Sequence, residues 1–476
     1  MDIIQQIVVK AVEGIFNTIQ EIGLEDVGKA VKALAPVASR MTLEIVEACI
    51  EEMDRSLVYA AKAQRKRDGI TVKERSVERV VTTELGDLHY RRTYFALPDG
   101  TYAYILDHLI GVEAYERFSK ELIAEVLEAA AVKSYQSAID STKQEMSRQT
   151  VHNRLSALDD LAMPVERVEE TPETLDIFAD EDHVHLTPKG KAIVPLVTIT
   201  EGMDTSNPKR HKTIHPIHVA AFGMTAEAFR ENVNAVLTER YDMDKIKQIN
   251  IHGDGAPWIE ALQQLIPHSR LVLDGYHLEK ELRSFLRLEG AKQYASAIRQ
   301  AMKKEDGYKD FERYCESIFQ RQTTENGREK VRSFVTYCAN HWRAIVVRVS
   351  KETCGSCTEP QVSHVLSDRL SRNPIAWSKN GLNRMTMIVV YTKNGGKVRG
   401  ENVRIRVNSK SRSGFSEDGY TIYRDYANKQ ADEVLKAKHD WSIFEHERPS
   451  LGKVDWLSFL LRKSLGSQQS LANLVS

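Results

Sequence analysis

Carboxylates at the ends of short apolar runs are the residues of this chain best suited to chemistry. Ile249-Asn-Ile-His-Gly-Asp254-Gly255 and Leu271-Val-Leu-Asp274-Gly275-Tyr-His277 both reach Asp-Gly. A third run, Leu175 to Leu186, carries Asp180 and Asp182 inside a strand pattern. Strand side chains alternate between faces, so Asp180 and Asp182 share one, and either could point at a metal. Gly255 relaxes the backbone after Asp254. Such hard oxygen donors suit Mg2+ or Mn2+. Two divalent ions held this way make a nucleophile from water or a 3′-OH and stabilise a leaving oxygen. One Asp before Gly is ordinarily a turn residue or a helix N-cap. Three acids in strand context, a late Glu359 and a basic helix after it point instead to metal-dependent phosphoryl transfer on DNA.

The elements that must position these acids read as an α/β core. Strands are expected at 174–186, 192–200, 214–222, 247–253 and 270–274, with helices at 225–240 and from Pro257 to Leu265. Three antiparallel strands followed by strand-helix-strand is the order of an RNase H-like sheet. The core therefore spans 173–280, is interrupted by a helical insertion at 281–350, and is completed by 351–476, which contains Glu359 and a basic C-terminal region. Within that last part, Met387 to Tyr391 and Val403 to Val407 read as strands, and an amphipathic helix should follow Glu359.

The N-terminal part divides into helices over 1–67, a small antiparallel β region over 68–110 and a helical region over 111–163. In the β region Arg91 and Arg92 interleave with Tyr90 and Tyr94, the pattern of a phosphate-contacting ribbon or of an ordinary hairpin. In the helical region, Ser134 to Ile139, a polar break, and Ser147 to Leu155 form a helix-turn-helix pattern with Val151 and Leu155 buried. Arg148, Gln149, His152 and Asn153 then fall on or near the face that reads base edges.

Taken together these stretches resemble the transposases of bacterial insertion sequences in the Mutator-like group of DDE enzymes, and more narrowly a family long catalogued as uncharacterised. The matching segments are Ala179 to Val184, Gly253 to Trp258, Leu273 to Leu278 and Glu359 to Leu370, and the resemblance covers nearly the whole chain. It implies Asp180, Asp254 and Glu359 as catalytic, metal-binding acids, with Mg2+ or Mn2+ as cofactor. Asp274 and His277 match that group's D-x-x-H signature as accessory residues. The context Asp180-Glu-Asp182 departs from the group's usual first acid and leaves Asp182 as an alternative ligand. Glu352 lies close to Glu359. Arg369 and Arg372, following Glu359, are placed to hold phosphates. The resemblance also implies binding to double-stranded DNA at element ends and target, cleavage and strand transfer, and a homo-oligomer on DNA.

Net charge is −1, so bulk electrostatics do not announce nucleic acid. Basic clusters do occur, at Lys209, Arg210 and Lys212 and from Lys397 to Arg412, including Arg404 and Arg406, and both are expected to contact backbone phosphates. No run is long enough for a membrane span and no signal peptide is evident, so the expected location is cytoplasmic. Five cysteines argue against a disulfide framework. Cys354 and Cys357 form the one C-x-x-C, half of a zinc site that Cys315, Cys338 or His364 would have to complete at unusual spacing. His183, His185 and His252 read as neutral site or core histidines. His211 and His215 lack the Glu of a zinc protease motif. Two other functions fit the same residues: an RNase H-like nuclease without strand transfer, and a DNA-binding protein that has lost its chemistry.

Overall fold

Two helices with apolar stripes open the chain, α1 (Ile3–Ile22) and α2 (Val27–Tyr59). The computed structural model describes residues 3–22, 26–207, 211–350, 353, 357–373, 375–403 and 420–428. Asp26 caps α2 by accepting the Lys29 N–H, which supplies one of the partners a first helical turn lacks. After α3 (Lys62–Arg67) come β1 (Thr71–Thr83), β2 (Gly86–Ala96) and the short β3 (Tyr102–Ala103), paired antiparallel in that order, and then α4 (Ile105–Leu109). Leu57, Tyr90, Phe95, Ile105 and Leu106 form their core, joined by Tyr423 and Ala427 from 420–428. This is the first of two compact units. The expected ribbon is present, but Arg92 is not a phosphate contact. It is buried, ion-paired with Asp107 and stacked on Tyr104. Tyr90 donates to the same Asp107 over 2.9 Å. A buried guanidinium with a buried carboxylate partner is spent on the core. Arg91 is the exposed one.

The second unit, residues 124–404, opens within α5 (Lys120–Ala130) and continues with α6 (Tyr135–Thr142) and α7 (Arg148–Ala157). Its sheet is built from β4 (Thr174–His185), β5 (Lys191–Thr200), β8 (Ile217–Ala220), β9 (Gln248–Gly253) and β10 (Ser269–Leu273). A separate pair, β6 (Met203–Asp204) and β7 (Lys212–Thr213), lies between β5 and β8 in the chain. The order across the sheet is β10-β9-β4-β5-β8. β4, β5 and β8 pair antiparallel through short connections, whereas β9 and β10 run parallel to β4. The parallel pairings need crossovers, which α8 (Ala226–Arg240) and α9 (Pro257–Leu265) provide. The five strands match the expected positions, except that the third is four residues long, Ile217–Ala220, rather than 214–222.

Alternation sorts the sheet's two faces. Leu175, Ile177 and Ala179 of β4 and Ile249 and Ile251 of β9 point into one apolar core with Phe229, Val233 and Leu237 of α8 and Ile259 and Leu262 of α9. The intervening residues, Asp176, Phe178, Asp180 and Asp182 on β4 and Asn250 and His252 on β9, therefore take the opposite face.

The expected helical stretch after β10 comprises α10 (Gly275–Phe285), α11 (Ala295–Ala301), α12 (Tyr308–Phe319) and α13 (Glu325–Val349). Phe285, Phe311, Phe334 and Trp342 fill its own core, and Cys315 and Cys338 are buried there. Cys354 lies outside the described residues. α14 (Thr358–Val362), a π-helical turn at Ser363–Ser367 and the short α15 (Asp368–Leu370) follow, so the single helix expected after Glu359 is broken into three pieces. Ser367 and Ser371, one helical turn apart, both donate to Asp182 Oδ1, over 3.1 and 2.8 Å, and pin this segment to β4.

Met387 to Tyr391, expected as a strand, lies inside α16 (Lys379–Lys393). Ser378 caps this helix, and Leu382, Met385, Ile388 and Val389 are buried at helical spacing. Packing of that stripe overrides the β-preference of the Ile-Val-Val run. The strand expected at 403–407 falls outside the described residues beyond Val403, as does the tail. Among the described residues no helix is long and apolar enough to cross a membrane.

The sheet's core makes a direct prediction. Ile251 is fully buried, whereas Ile193 on β5 is 52% exposed. Ile251→Ala should cost roughly 2 to 5 kcal/mol in urea unfolding and Ile193→Ala under about 1 kcal/mol. Equal costs would show that Ile251 is not the buried core residue and Ile193 the exposed one.

Candidate functional site

Parallel pairing brings the strand-end acids together. Phe178 of β4 lies opposite His252 of β9, so the next same-face positions are Asp180 and Asp254. Leu273 of β10 pairs with Gly253, and the Asp274 N–H donates to the Gly253 carbonyl over 2.7 Å. Asp180, Asp254 and Asp274 thus stand at one edge of three neighbouring parallel strands. Each is locally fixed. Asp180 Oδ1 accepts the Glu181 N–H over 2.8 Å. Asp254 Oδ1 accepts the Ala256 N–H over 2.9 Å, which turns the chain into α9. Asp274 caps α10 by accepting the His277 N–H, and the His277 ring lies 3.9 Å from the same carboxylate. Gly255 has the positive φ, +88°, that its place after Asp254 demands.

The electrostatics of this edge are those of crowded negative charge. Burial pushes the Asp180 carboxyl up to about 6, against the Glu181 N–H, which pulls it down. The charges of Asp254 and Asp274 add to the rise, and His277 opposes it. Two like-charged neighbours make a proton, or any other cation, more welcome at Asp180 than in water.

Asp182 occupies the same face but serves the fold. It is buried and takes both serine hydroxyls of the segment after Glu359. Glu359 itself is exposed in the first turn of α14. Its neighbour Thr358 is buried, with its hydroxyl 3.5 Å from Asp274 Oδ1, so α14 begins beside the acid edge. Glu352 lies outside the described residues. Among the described residues no three His, Cys, Asp or Glu side chains stand close enough to hold a metal ion together. Asp180 and Asp254 share this edge, and α14, which carries Glu359, begins beside Asp274.

Several neighbours of this edge carry no motif in the sequence. Asp176 accepts from His252 Nε2 over 2.9 Å and from Asn250 Nδ2 over 3.2 Å, and Asn250 in turn accepts from Arg270 Nε over 2.9 Å. His252 is therefore a core histidine, as expected, whereas His183 is exposed. α13 reaches the site from the helical insertion. It kinks at His341, whose ring lies where a Cβ on Gly255 would come within 2.5 Å of it. One turn earlier the Tyr337 hydroxyl is buried without a hydrogen-bond partner. Arg348 lies against Gly275 in the same way, at the start of α10. The only signal that could have found His341 and Arg348 is the pair of glycines they press on.

The candidate nucleic-acid residues are spread more widely. α6 and α7 form the expected helix pair, with Ser147 capping α7 and Val151 and Leu155 buried. Arg148, Gln149 and Asn153 are exposed, His152 is half-buried, and Gln149 donates to Asn153 over 2.8 Å. Arg369 is turned inward, where its Nε donates to the Ala130 carbonyl over 2.6 Å. Arg372 is exposed and paired with Asp368. Lys212 is exposed in β7. Lys209, Arg210, Arg404 and Arg406 lie outside the described residues.

A family model described as "Uncharacterised protein family (UPF0236)" matches residues 23–406. A UPF0236 protein of Caldanaerobacter subterraneus subsp. tengcongensis is 32% identical over 379 residues, 79% of this chain and 79% of that protein. Its single name spans eleven loci of that genome. A Streptococcus gallolyticus relative, named as the UPF0236 protein in the vanSb 3′ region, is 25% identical over 365 residues, 73% of this chain and 78% of its own length.

The burial of Asp180, with its acidic neighbours, has a measurable consequence. Its folded pKa, about 6, lies above the ordinary 3.8, so the ionised group opposes folding above about pH 6 and the penalty fades as pH falls toward 4. In the presence of a chelator, Asp180→Asn should be more stable than the parent at pH 7.5, by on the order of 1 to 2 kcal/mol after allowing for its partial exposure. The two proteins should converge near pH 4. Denaturant unfolding at both pH values checks this, and a constant difference across the range would refute the assigned cause.

Proposed function

The chain belongs to the UPF0236 family, and from the acid edge of its central sheet we propose that it is the DDE-type DNA transposase of an insertion sequence. It binds the terminal inverted repeats of its element, cleaves the ends and joins the 3′-OH to target DNA, with no covalent protein–DNA intermediate. The observation that carries this reading is the meeting of Asp180, in β4 just past its pairing with β9, and Asp254, directly after β9, with α14 and its Glu359 starting alongside. The order β10-β9-β4-β5-β8, three antiparallel strands extended by two parallel ones, is the order expected of an RNase H-like core and supports that assignment. One name covering eleven loci is what a sequence copied within its genome gives, and it supports a mobile element.

The donor set fits a hard divalent cation: carboxylate oxygens, excess negative charge and one flanking imidazole. Held by Asp180, Asp254 and Glu359, Mg2+ or Mn2+ would supply Lewis-acid activation of the nucleophile and stabilisation of the leaving oxygen. The serine bonds of Asp182 favour Asp180 over Asp182 as the first ligand. Asp274 acts through position, capping α10 and meeting Thr358, so that the strand ends and α14 share one edge. α6 and α7 are the helix-turn-helix for the element ends, with Arg148, Gln149 and Asn153 toward DNA. Bringing two ends together calls for a homo-oligomer.

The test is strand cleavage and joining on labelled duplex carrying the element's own ends, with Mg2+ or Mn2+. Asp254→Asn should lower cleavage at least a thousandfold, about 4 kcal/mol of barrier, while end binding persists. Cleavage without joining in the parent would favour a plain nuclease. Binding without chemistry in either protein would favour a DNA-binding protein that has lost its activity.

A further inference from the structure

Residues from three separate stretches meet in one cavity of about 530 Å3. Arg148 and His152 enter it from α7, Tyr135 from α6, Arg369 from α15, and Trp377 and Ser378 from the start of α16. No Asp or Glu lines it, although two arginines and a histidine do.

Arg369 is the unusual member. It is 9% exposed, with its guanidinium over the Trp377 ring at 4.8 Å and the Tyr135 ring at 5.6 Å. Its Nε is satisfied by the Ala130 carbonyl. Its two terminal nitrogens meet no acceptor and no carboxylate among the described residues. The Tyr135 hydroxyl beside it is buried and also without a partner. Burying an unpaired cation is costly, and a cavity lined by that cation, a second arginine and no acid is complementary to an anion. The starts of α6 and α16, where Ser134 and Ser378 reach the wall, add positive helix ends.

The cavity's place in the fold says which anion. The Trp377 N–H donates to the His185 carbonyl over 3.0 Å, and the Thr187 N–H donates to the Trp377 carbonyl over 2.9 Å. The cavity therefore sits past the far end of β4. Thr187 is seven residues beyond Asp180, about 23 Å along the chain at roughly 3.3 Å per residue. That is about seven steps of duplex DNA at roughly 3.4 Å each.

We propose that this cavity is a phosphate subsite, in which Arg369 and Arg148 hold one backbone phosphate of the DNA about seven nucleotides from the bond that the acid edge cuts. The inference rests on the nucleic-acid reading above and adds a fixed anchoring point to it.

The experiment uses the full chain without divalent metal. Its melting temperature is followed against inorganic phosphate at constant ionic strength, for the parent, Arg148→Gln and Arg369→Gln. Phosphate should stabilise the parent. The half-saturating concentration should rise about threefold or more in Arg148→Gln, whose exposed side chain leaves folding intact, and tenfold or more in Arg369→Gln. No stabilisation of the parent, or the same phosphate dependence in parent and Arg148→Gln, overturns the proposal. A short DNA duplex then separates the sources. Duplex that competes with phosphate supports a DNA subsite, and duplex that binds without shifting the phosphate titration reduces the cavity to a free-phosphate pocket and overturns it. A parent that shows this competition yet never cuts DNA sinks the transposase reading and leaves the phosphate subsite standing.

Discussion

Repulsion between carboxylates is the constraint around which this structure is arranged. Parallel strands next to each other end at the same edge, so acids at their ends cannot avoid one another. β9 and β10 lead into Asp254 and Asp274 beside Asp180 of β4, whose carboxyl is raised first by burial and then by their charges. A fold selected for stability alone has no use for such an edge. The surrounding contacts fix the acids where they stand: one backbone N–H on each carboxylate, and helix starts immediately after two of them.

The same face of β4 shows how position divides labour among identical residue types. Asp176 is held inside the sheet by hydrogen bonds from His252 and Asn250. Asp182 accepts both Ser367 and Ser371 hydroxyls on Oδ1 and holds the segment after Glu359. Asp180, between them, has one backbone partner and two acidic neighbours. Three aspartates on one face thus stand as a core polar anchor, a candidate site acid and a docking point. α13 approaches from the insertion, with His341 on Gly255 and Arg348 on Gly275, so the glycines after the acids leave room for a helix as well as for the turn.

Much of this was legible in the sequence, for identifiable reasons. Short apolar runs ending in Asp-Gly marked β9 and β10, because alternation and turn chemistry are local. Ser147 announced α7 for the same reason. What failed depended on distant partners. Met387 to Tyr391 has strand-forming residues but packs as part of α16. Arg92 alternates with tyrosines as a surface arginine would, yet its carboxylate partner, Asp107, comes from another element. Asp182 is indistinguishable from Asp180 until the serines of 367 and 371 are seen to fold back on it. The break of the helix after Glu359 has the same origin.

The central claim is that Asp180, Asp254 and Glu359 share one divalent cation site, and iron-directed backbone cleavage tests it most directly. Fe2+ is substituted into the protein, ascorbate and peroxide are added, and the cut positions are mapped by mass spectrometry. The account predicts cuts clustered around residues 180, 254, 274 and 359, suppressed by excess Mg2+. Cuts elsewhere, or cuts that Mg2+ leaves unchanged, would contradict it.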